Sequence, residues 1–474
     1  MEQVMDDVEA RKGIKLLLLV VLSALMAVAL LPYAMAFPSL IVEDDGFFYA
    51  EIAKNIAALG ASTFDGLHET SGYHLLWMGV MAAASWVLQW ISVQPEFLLW
   101  GYLTLSLFVI SAYSFLFFKT IEARLLVWVL SLMCSLLMEV NLLVLLLLPV
   151  YHTLLQRDAG KEGVPFWLYL AMAMVPLVRI DATVMLVVPV AYLFLTERSL
   201  ALRCALALVA GVVIQLLAMK LIFGDVFSVS STLKAADMEG SRVLSNLLYR
   251  GPDYTLRNLL AIGLLSLAFG LALLQRNWLG VAIVMSVAGF YAAHFIFNHQ
   301  RHWYFLPVYL PAFYLVSRFW PDSGWWMRIY RPGALVSALT LGIGFGLGYQ
   351  LSHIPARINS LAFIKQANVT LNDSDVVFQV DGSGWTGFFL DAHLVNGDGL
   401  VNSYEYANRL VNGNLDGYLE EIGAGYVLVN KPYADNLVVN IGGLKVAESD
   451  LDPVLDTILH SDYRFTQFML FRIK

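Results

Sequence analysis

Apolar residues in this chain come in long runs separated by short polar turns, on the length scale of a bilayer rather than of an alternating strand. A helix needs about 20 apolar residues to cross the hydrocarbon layer, and the run from Ile14 to Ala36 meets that requirement on its own. Further runs at approximately 97–118, 124–138, 141–155, 165–178, 182–196, 204–222, 256–274, 278–297, 303–318 and 333–351 bring the expected number of spans to eleven. The four runs between 124 and 196 are short, which implies a thinned bilayer there or helix ends tucked into protein. Near Ile354 the pattern changes to short runs and turns. Val376–Val380, Tyr426–Asn430 and Phe468–Ile473 read as strands, Leu410–Ile422 and Pro453–Leu459 as helices. Asp381-Gly382-Ser383-Gly384 and Asn396-Gly397-Asp398-Gly399 read as turns. The expected organisation is a transmembrane domain over 1–353 followed by a small α/β domain over 354–474.

Orientation comes from the basic residues. Arg11, Lys12 and Lys15 precede the first run and keep its start cytoplasmic. That run reads as an uncleaved anchor, with cleavage after Ala34-Met35-Ala36 as the alternative. One more run, Tyr73–Ile91, decides everything downstream. If it spanned, Lys119/Arg124, Arg157/Lys161, Arg198/Arg203, Arg276 and Arg318/Arg328/Arg331 would all face outward, against the positive-inside rule. Its His74, Trp77, Trp86, Gln89 and Trp90 suit an interfacial helix, and it is read as juxtamembrane. With eleven spans the C-terminal domain lies outside the cytoplasm.

Composition agrees with the pattern. Residues of the AVILMFWYC set make up 59% of the 474 and charged residues 14%, against roughly 25% charged in a soluble domain. Mean hydropathy is +0.68. A net charge of −8 leaves no basic footprint for nucleic acid. Cys134 and Cys204 are the only cysteines, which excludes a disulfide framework and a cysteine-based metal site. From Ile354 onward there are 15 acids and 8 bases, so the C-terminal domain carries −7 of the −8.

Under this topology the ionisable residues gather on the outer face. Glu43, Asp44 and Asp45 follow the first span, and Glu139 sits at the next outer turn. Arg179 and Asp181 share another. Lys220, Asp225 and Lys234 lie in an outer loop, and 298–304 carries His299, Arg301, His302, Trp303 and Tyr304. Ionisable groups at so many helix ends point to a shared polar cavity. Such a set suits sugar transfer from a lipid phosphate: a carboxylate deprotonates the incoming hydroxyl, and Arg or Lys stabilises the departing phosphate. Each group also has a plainer reading, as solvated loop, local ion pair, headgroup contact or aromatic-belt anchor.

Glu43-Asp44-Asp45-Gly-Phe-Phe-Tyr-Ala-Glu-Ile-Ala-Lys-Asn-Ile-Ala, Thr63-Phe64-Asp65-Gly66 and Ser71-Gly72-Tyr73-His74-Leu75-Leu76-Trp77 resemble the first outer loop of bacterial GT-C glycosyltransferases. There an Asp-Asp or Asp-Glu pair opens the loop and an Asn-Gly-Tyr-His-Pro-Leu-Trp motif follows; Ser71 stands for the Asn and Leu75 for the Pro. Leu137-Met138-Glu139 resembles the family's Gly-Met-Glu turn, with Leu for Gly, and Arg179-Ile180-Asp181 its Arg-x-Asp turn. The 223–234 segment resembles its Phe-Gly…Ser…Lys loop, with Ser228 where Pro is usual. Val395–Ser403 resembles a signature in the C-terminal domain of one branch. The likeness runs along nearly the whole chain.

The resemblance implies a GT-C-like membrane fold with juxtamembrane helices in the first outer loop. It implies inverting transfer of one sugar from a polyprenyl-phosphate donor, of the mannosyl- or arabinosyltransferase kind, to a glycan, lipid or protein acceptor at the outer face of a bacterial inner membrane. Asp44, the first of the pair, is the expected base, with Asp45 and Glu139 beside it. Arg179, Asp181, Lys234, His299, Arg301, Tyr304 and His74 are the expected donor- or substrate-binding residues. Some members use a divalent cation (Mg, Mn or Ca), which Asp44 and Asp45 would then ligate. The competing functions are a lipid-linked glycan transporter or flippase, an oligosaccharide ligase, and a membrane sensor with an outer ligand-binding domain. A transporter would favour an internal repeat and a midplane site, and the sequence offers neither.

Overall fold

A computed structural model of the 474-residue chain describes residues 2–36, 42–134, 136–160, 163–236, 252–296, 301–321, 332–333, 336–337, 361–429, 437–456 and 468–474. Its first part is helical and its last part is built on a sheet. Six described helical segments are long and apolar enough to cross a membrane: Ile14–Met35, Pro95–Phe117, Val140–Asp158, Arg198–Phe223, Arg257–Leu274 and Trp278–Phe295. Shorter apolar helices include Leu75–Gln89 and Phe166–Val178. Ile121–Cys134, Val184–Thr196 and Leu306–Phe319 fall on expected runs, while the expected last span, 333–351, lies almost wholly outside the described residues.

The helices pack in pairs: Glu2–Ala36 on Pro95–Phe117, Phe166–Val178 on Arg198–Phe223, Val184–Thr196 on Trp278–Ile296, and Pro252–Leu274 on Leu306–Phe319. Their outward faces stay apolar. Leu17 and Leu25 on the first helix and Leu206 and Leu221 on Arg198–Phe223 are exposed, a placement that suits lipid and not water. Gly211 lets two of these helices touch backbone to backbone, since a Cβ there would lie 2.2 Å from the Ala173 carbonyl oxygen.

Between the first two apolar helices an amphipathic helix, Asp44–Leu59, lies with most of its first three turns buried. Asp44 and Asp45 favour its N-terminus through the helix dipole. Gly60, at φ 69°, ends it, its N–H bonding the Ile56 carbonyl. The preceding Val42 forms an isolated bridge with Leu136, which sets the acids beside the turn that carries Glu139.

The C-terminal part folds around a five-stranded sheet in the order β2-β1-β3-β7-β6, with a separate β4–β5 hairpin. β1 (Val376–Gln379) is parallel to β2 (His393–Asn396) and β3 (Tyr426–Val429), and β7 (Met469–Ile473) is antiparallel to β3 and β6 (Leu451–Asp456). β4 is Leu437–Ile441 and β5 Leu444–Ala447. Three expected strands are therefore present. Two expected helices differ. Pro453 sits in strand β6, where it faces Phe471 of β7 on the edge of the sheet, a place where a missing N–H costs nothing. Leu410–Ile422 is broken into Tyr404–Val411 and Tyr418–Glu421, because Gly413 (φ 67°) and Gly417 (φ 75°) take left-handed backbone between them. The Asp381–Gly384 turn leads straight into a short helix, Ser383–Phe389.

Gly211→Ala should force those two helices apart, lowering stability by about 1–3 kcal/mol. Gly263→Ala, which meets nothing within 4 Å, should leave stability unchanged or slightly higher. Thermal unfolding of the purified protein in detergent separates the two, and equal midpoints would remove the close contact.

Candidate functional site

Helix geometry sorts the two adjacent acids. At 3.6 residues per turn Asp44 and Asp45 point about 100° apart, not to the opposite sides that extended chain would give. Asp45 shares its face with Phe48 and Tyr49, three and four residues on, and all three line one pocket. Asp44 shares its face with Phe47, which packs on Phe388 and Phe389 of the C-terminal helix. The Asp44 carboxylate follows the same direction, its Oδ1 accepting from Trp385 N (2.9 Å) and its Oδ2 from Gly384 N (3.1 Å).

Of the residues singled out in the sequence, Asp45, His74, Glu139, Arg179, Lys234 and Tyr304 line this pocket together. They come from five separate connections between apolar helices. Asp181 stands just behind it, held by Arg179. Arg301 is exposed at the rim, close enough to act electrostatically on Asp45. Asp44 is turned away, and His299 lies outside the described residues.

The floor of the pocket is a buried charge network. Arg179, 4% exposed, donates from Nη1 to Glu139 Oε1 (2.6 Å) and through Nε and Nη2 to both oxygens of Asp181 (3.0 and 2.7 Å). Its guanidinium stacks over the Tyr304 ring at 4.6 Å. His294 Nε2 reaches Asp181 at 3.1 Å. Glu139 is fully buried. Burial alone would raise its pKa, and the guanidinium against it reverses the shift, so it stays ionised. Tyr49 donates to Glu139 Oε2 (3.0 Å), so its oxygen is left to accept from His74 Nδ1–H (2.6 Å). Burial pushes the His74 pKa down to about 4. The imidazole is neutral at pH 7, and this chain of bonds leaves Nε2 bare.

Glu139 reaches its place through a strained turn. Leu137, fully buried, has φ 65°, a left-handed conformation that costs a leucine roughly 1–2 kcal/mol. The turn is held by Trp77 Nε1, which donates to the Leu137 carbonyl (2.7 Å), and by Ser106 Oγ, which accepts from Leu137 N (3.2 Å).

Asp45 differs from the other acids here. It makes no hydrogen bond or ion pair with any described residue, while Lys234 and Arg301 supply the nearest opposing charge. Burial raises its pKa and those two cations pull it back. Lys234 touches only the Tyr304 hydroxyl, at 3.4 Å, among the described residues. Among those residues no three His, Cys, Asp or Glu side chains converge closely enough to hold a metal ion, and both oxygens of Asp44 are already engaged.

The C-terminal domain forms part of the wall. Leu400 lines the pocket, and Gly72 lies so close beneath it that a Cβ would come within 1.9 Å of the Leu400 carbonyl oxygen. Ser71 ties three segments, donating to the Tyr404 hydroxyl (2.7 Å) and accepting from Val229 N (3.1 Å), while Tyr404 donates to the Phe227 carbonyl. Asp398, in the Asn396–Gly399 turn, is near enough to Asp44 and Asp45 to feel both. Burial and those acids raise its pKa to about 7. Tyr49, His294 and Asp398 escaped the sequence reading. Only Tyr49 left a signal, one helical turn beyond Asp45.

Glu43, Asp44 and Asp398 all have pKa values raised to about 7, with burial the main cause. Between about pH 4 and 7 the native chain therefore binds more protons there than the unfolded chain, and stability falls as pH rises through that window. His74 works the other way: its pKa drops from 6.5 to about 4, so its contribution grows as pH rises between them. Three groups outweigh one. The thermal midpoint should fall between about pH 5 and pH 7.5, and Asp398→Asn should flatten that fall; a midpoint rising over the interval would refute the assignment.

No protein-family model matches this chain, and no curated protein matches it at a significant level.

Proposed function

We propose that this protein is a polytopic membrane glycosyltransferase that moves one sugar from a polyprenyl-phosphate donor to an acceptor hydroxyl at the outer face of a bacterial inner membrane, with inversion. The observation that carries the reading is Asp45. It is the one pocket carboxylate without a hydrogen-bond or ion-pair partner among the described residues, and it shares the pocket with a lysine equally free of carboxylates. Glu139 cannot serve as base while Arg179 and Tyr49 hold both its oxygens. Asp44, favoured by the sequence resemblance, spends both of its own on backbone amides. The base is therefore assigned to Asp45.

In this mechanism the acceptor hydroxyl sits against Asp45, which takes its proton as the oxygen attacks the anomeric carbon. The bond to the lipid phosphate breaks on the opposite face, and the phosphate leaves as an anion. Lys234 and, at the rim, Arg301 stabilise the growing charge. Arg179 already gives three of its five N–H donors to Glu139 and Asp181, which offset its charge, so in this reading it shapes the floor of the site and leaves the phosphate to Lys234 and Arg301. The rings of Tyr304, Trp303 and Tyr73 offer apolar faces to a sugar. The eleven-span topology, with the C-terminal domain outside, belongs to the same proposal. It would put the pocket where a donor anchored in the outer leaflet can reach it.

In nanodiscs supplied with polyprenyl-phosphate hexose, Asp45→Asn should still bind the donor and lose transfer by about 10²–10⁴-fold. Lys234→Ala should weaken donor use by about ten- to a hundredfold, the value of one charge-assisted contact. Full transfer by Asp45→Asn would sink the base assignment. Donor moved across the bilayer without sugar transfer would point to a flippase. For topology, cysteines placed near Lys119 and Arg157 should resist an impermeant thiol reagent added outside intact cells, while one at Asp391 should react; the reverse pattern would invert the orientation.

A further inference from the structure

Asp44 is half-buried, ionisable and adjacent to the proposed base, yet it plays no part in that chemistry. We propose that Asp44 is a positioning residue, a clamp that fastens the C-terminal domain to the outer-loop helix and thereby holds Asp45 in line across the pocket. The inference rests on the reading of Asp45 as base.

The Ser383–Phe389 helix has free amides at its start and no side-chain cap of its own. Asp44 supplies that cap from another domain, one carboxylate oxygen to each of Gly384 N and Trp385 N. The contact has no slack, because a Cβ on Gly384 would lie 2.3 Å from the Asp44 carbonyl oxygen. One helical turn further, Phe47 meets Phe388 and Phe389 at 5.7 and 6.1 Å between ring centres. Helix 44–59 is thus gripped along one face by the C-terminal domain.

Asp45 is the next residue on the same rigid helix, so rotation of that helix about its axis would carry it off the pocket. The clamp resists that rotation. A tether is needed because no described residue bonds the Asp45 carboxylate directly. The same domain places Leu400 in the pocket wall, so one docking event both aims the base and closes the site. A shift of about 1 Å at a reacting group can cost about a hundredfold in rate.

Two substitutions loosen the clamp by independent routes. Asp44→Asn leaves an amide whose single oxygen can accept only one of the two N–H groups. Gly384→Ala keeps Asp44 intact and pushes the helix away from it. In the full chain in nanodiscs, hydrogen exchange at Gly384 and Trp385 should become about three- to tenfold faster in both, the loss expected of a broken cap. It should be unchanged in Asp45→Asn. With polyprenyl-phosphate hexose as donor, both clamp variants should lose about ten- to a hundredfold in kcat with donor KM nearly unchanged, and the double variant should be no worse than the poorer single. Asp44→Asn inactive beside a fully active Gly384→Ala would make Asp44 a chemical participant and overturn the proposal. Unchanged exchange in Asp44→Asn would also overturn it. A wild-type chain that transfers no sugar would refute the glycosyltransferase reading alone, and the exchange measurement would still decide whether the clamp exists.

Discussion

A guanidinium taken out of water is among the costliest things a protein can bury, and here it organises one end of the helical body. Arg179 is stable only because Glu139, Asp181 and the Tyr304 ring surround it. Removing one partner from such a pair costs about 3–5 kcal/mol, since the other charge is left buried alone. Each partner arrives on a different element, so the network pins the turn before the Val140–Asp158 helix, the end of Phe166–Val178 and the start of Leu306–Phe319 to a common point. The same pairing divides labour within the pocket. Groups in the network define shape and charge, and Asp45 and Lys234, outside it, remain available.

The pocket also has two owners. Asp45 and the Arg179 network come from the helical part, while Leu400 and the amides that hold Asp44 come from the C-terminal domain. Close backbone approaches at Gly72 and Gly384 leave little room for the domain to slide, and the Ser71–Tyr404 contact ties it to the 227–229 segment as well. Asp398 and Asp381 add negative field around Asp44 and Asp45, which disfavours ionisation and concentrates the opposing positive charge of the site in Lys234 and Arg301.

Much of this arrangement could be read from the chain, for a physical reason. Ionisable groups at the ends of apolar helices are expensive, so His74, Glu139, Arg179 and Lys234 stood out against their surroundings and do meet in one pocket. Helix positions were readable because hydrocarbon thickness sets run length, and six of the eleven expected spans coincide with described helices long and apolar enough to cross a membrane. What could not be read depends on direction and on distant partners. Asp44 and Asp45 are identical in type, and only helical phase and the amides of residues some 340 positions away separate them. Pro453 looked like a helix start because the edge position that tolerates it in a strand is a tertiary fact. The Leu410–Ile422 break was visible in Gly413 and Gly417, but the apolar spacing around them outweighed it. Tyr49 is an ordinary helix residue until His74 and Glu139 close on it.

The left-handed turn at Leu137 links two positions that sit far apart in the chain. A glycine would take that backbone without penalty. The glycine that packs against it is at position 46, directly after the acidic pair, and a Cβ there would press to 3.2 Å against the Cβ of Leu137 and to 2.9 Å against Val42. The two sites exchange volume: leucine fits the strained turn because its neighbour has no side chain. Neither position is then free to drift alone. Placing glycine at 137 opens space beside the acids that a larger residue at 46 can fill, whereas enlarging 46 first would displace the loop that carries Asp45. The evolutionary history of the site should therefore be written in paired substitutions at these two positions, with the order of events constrained by packing.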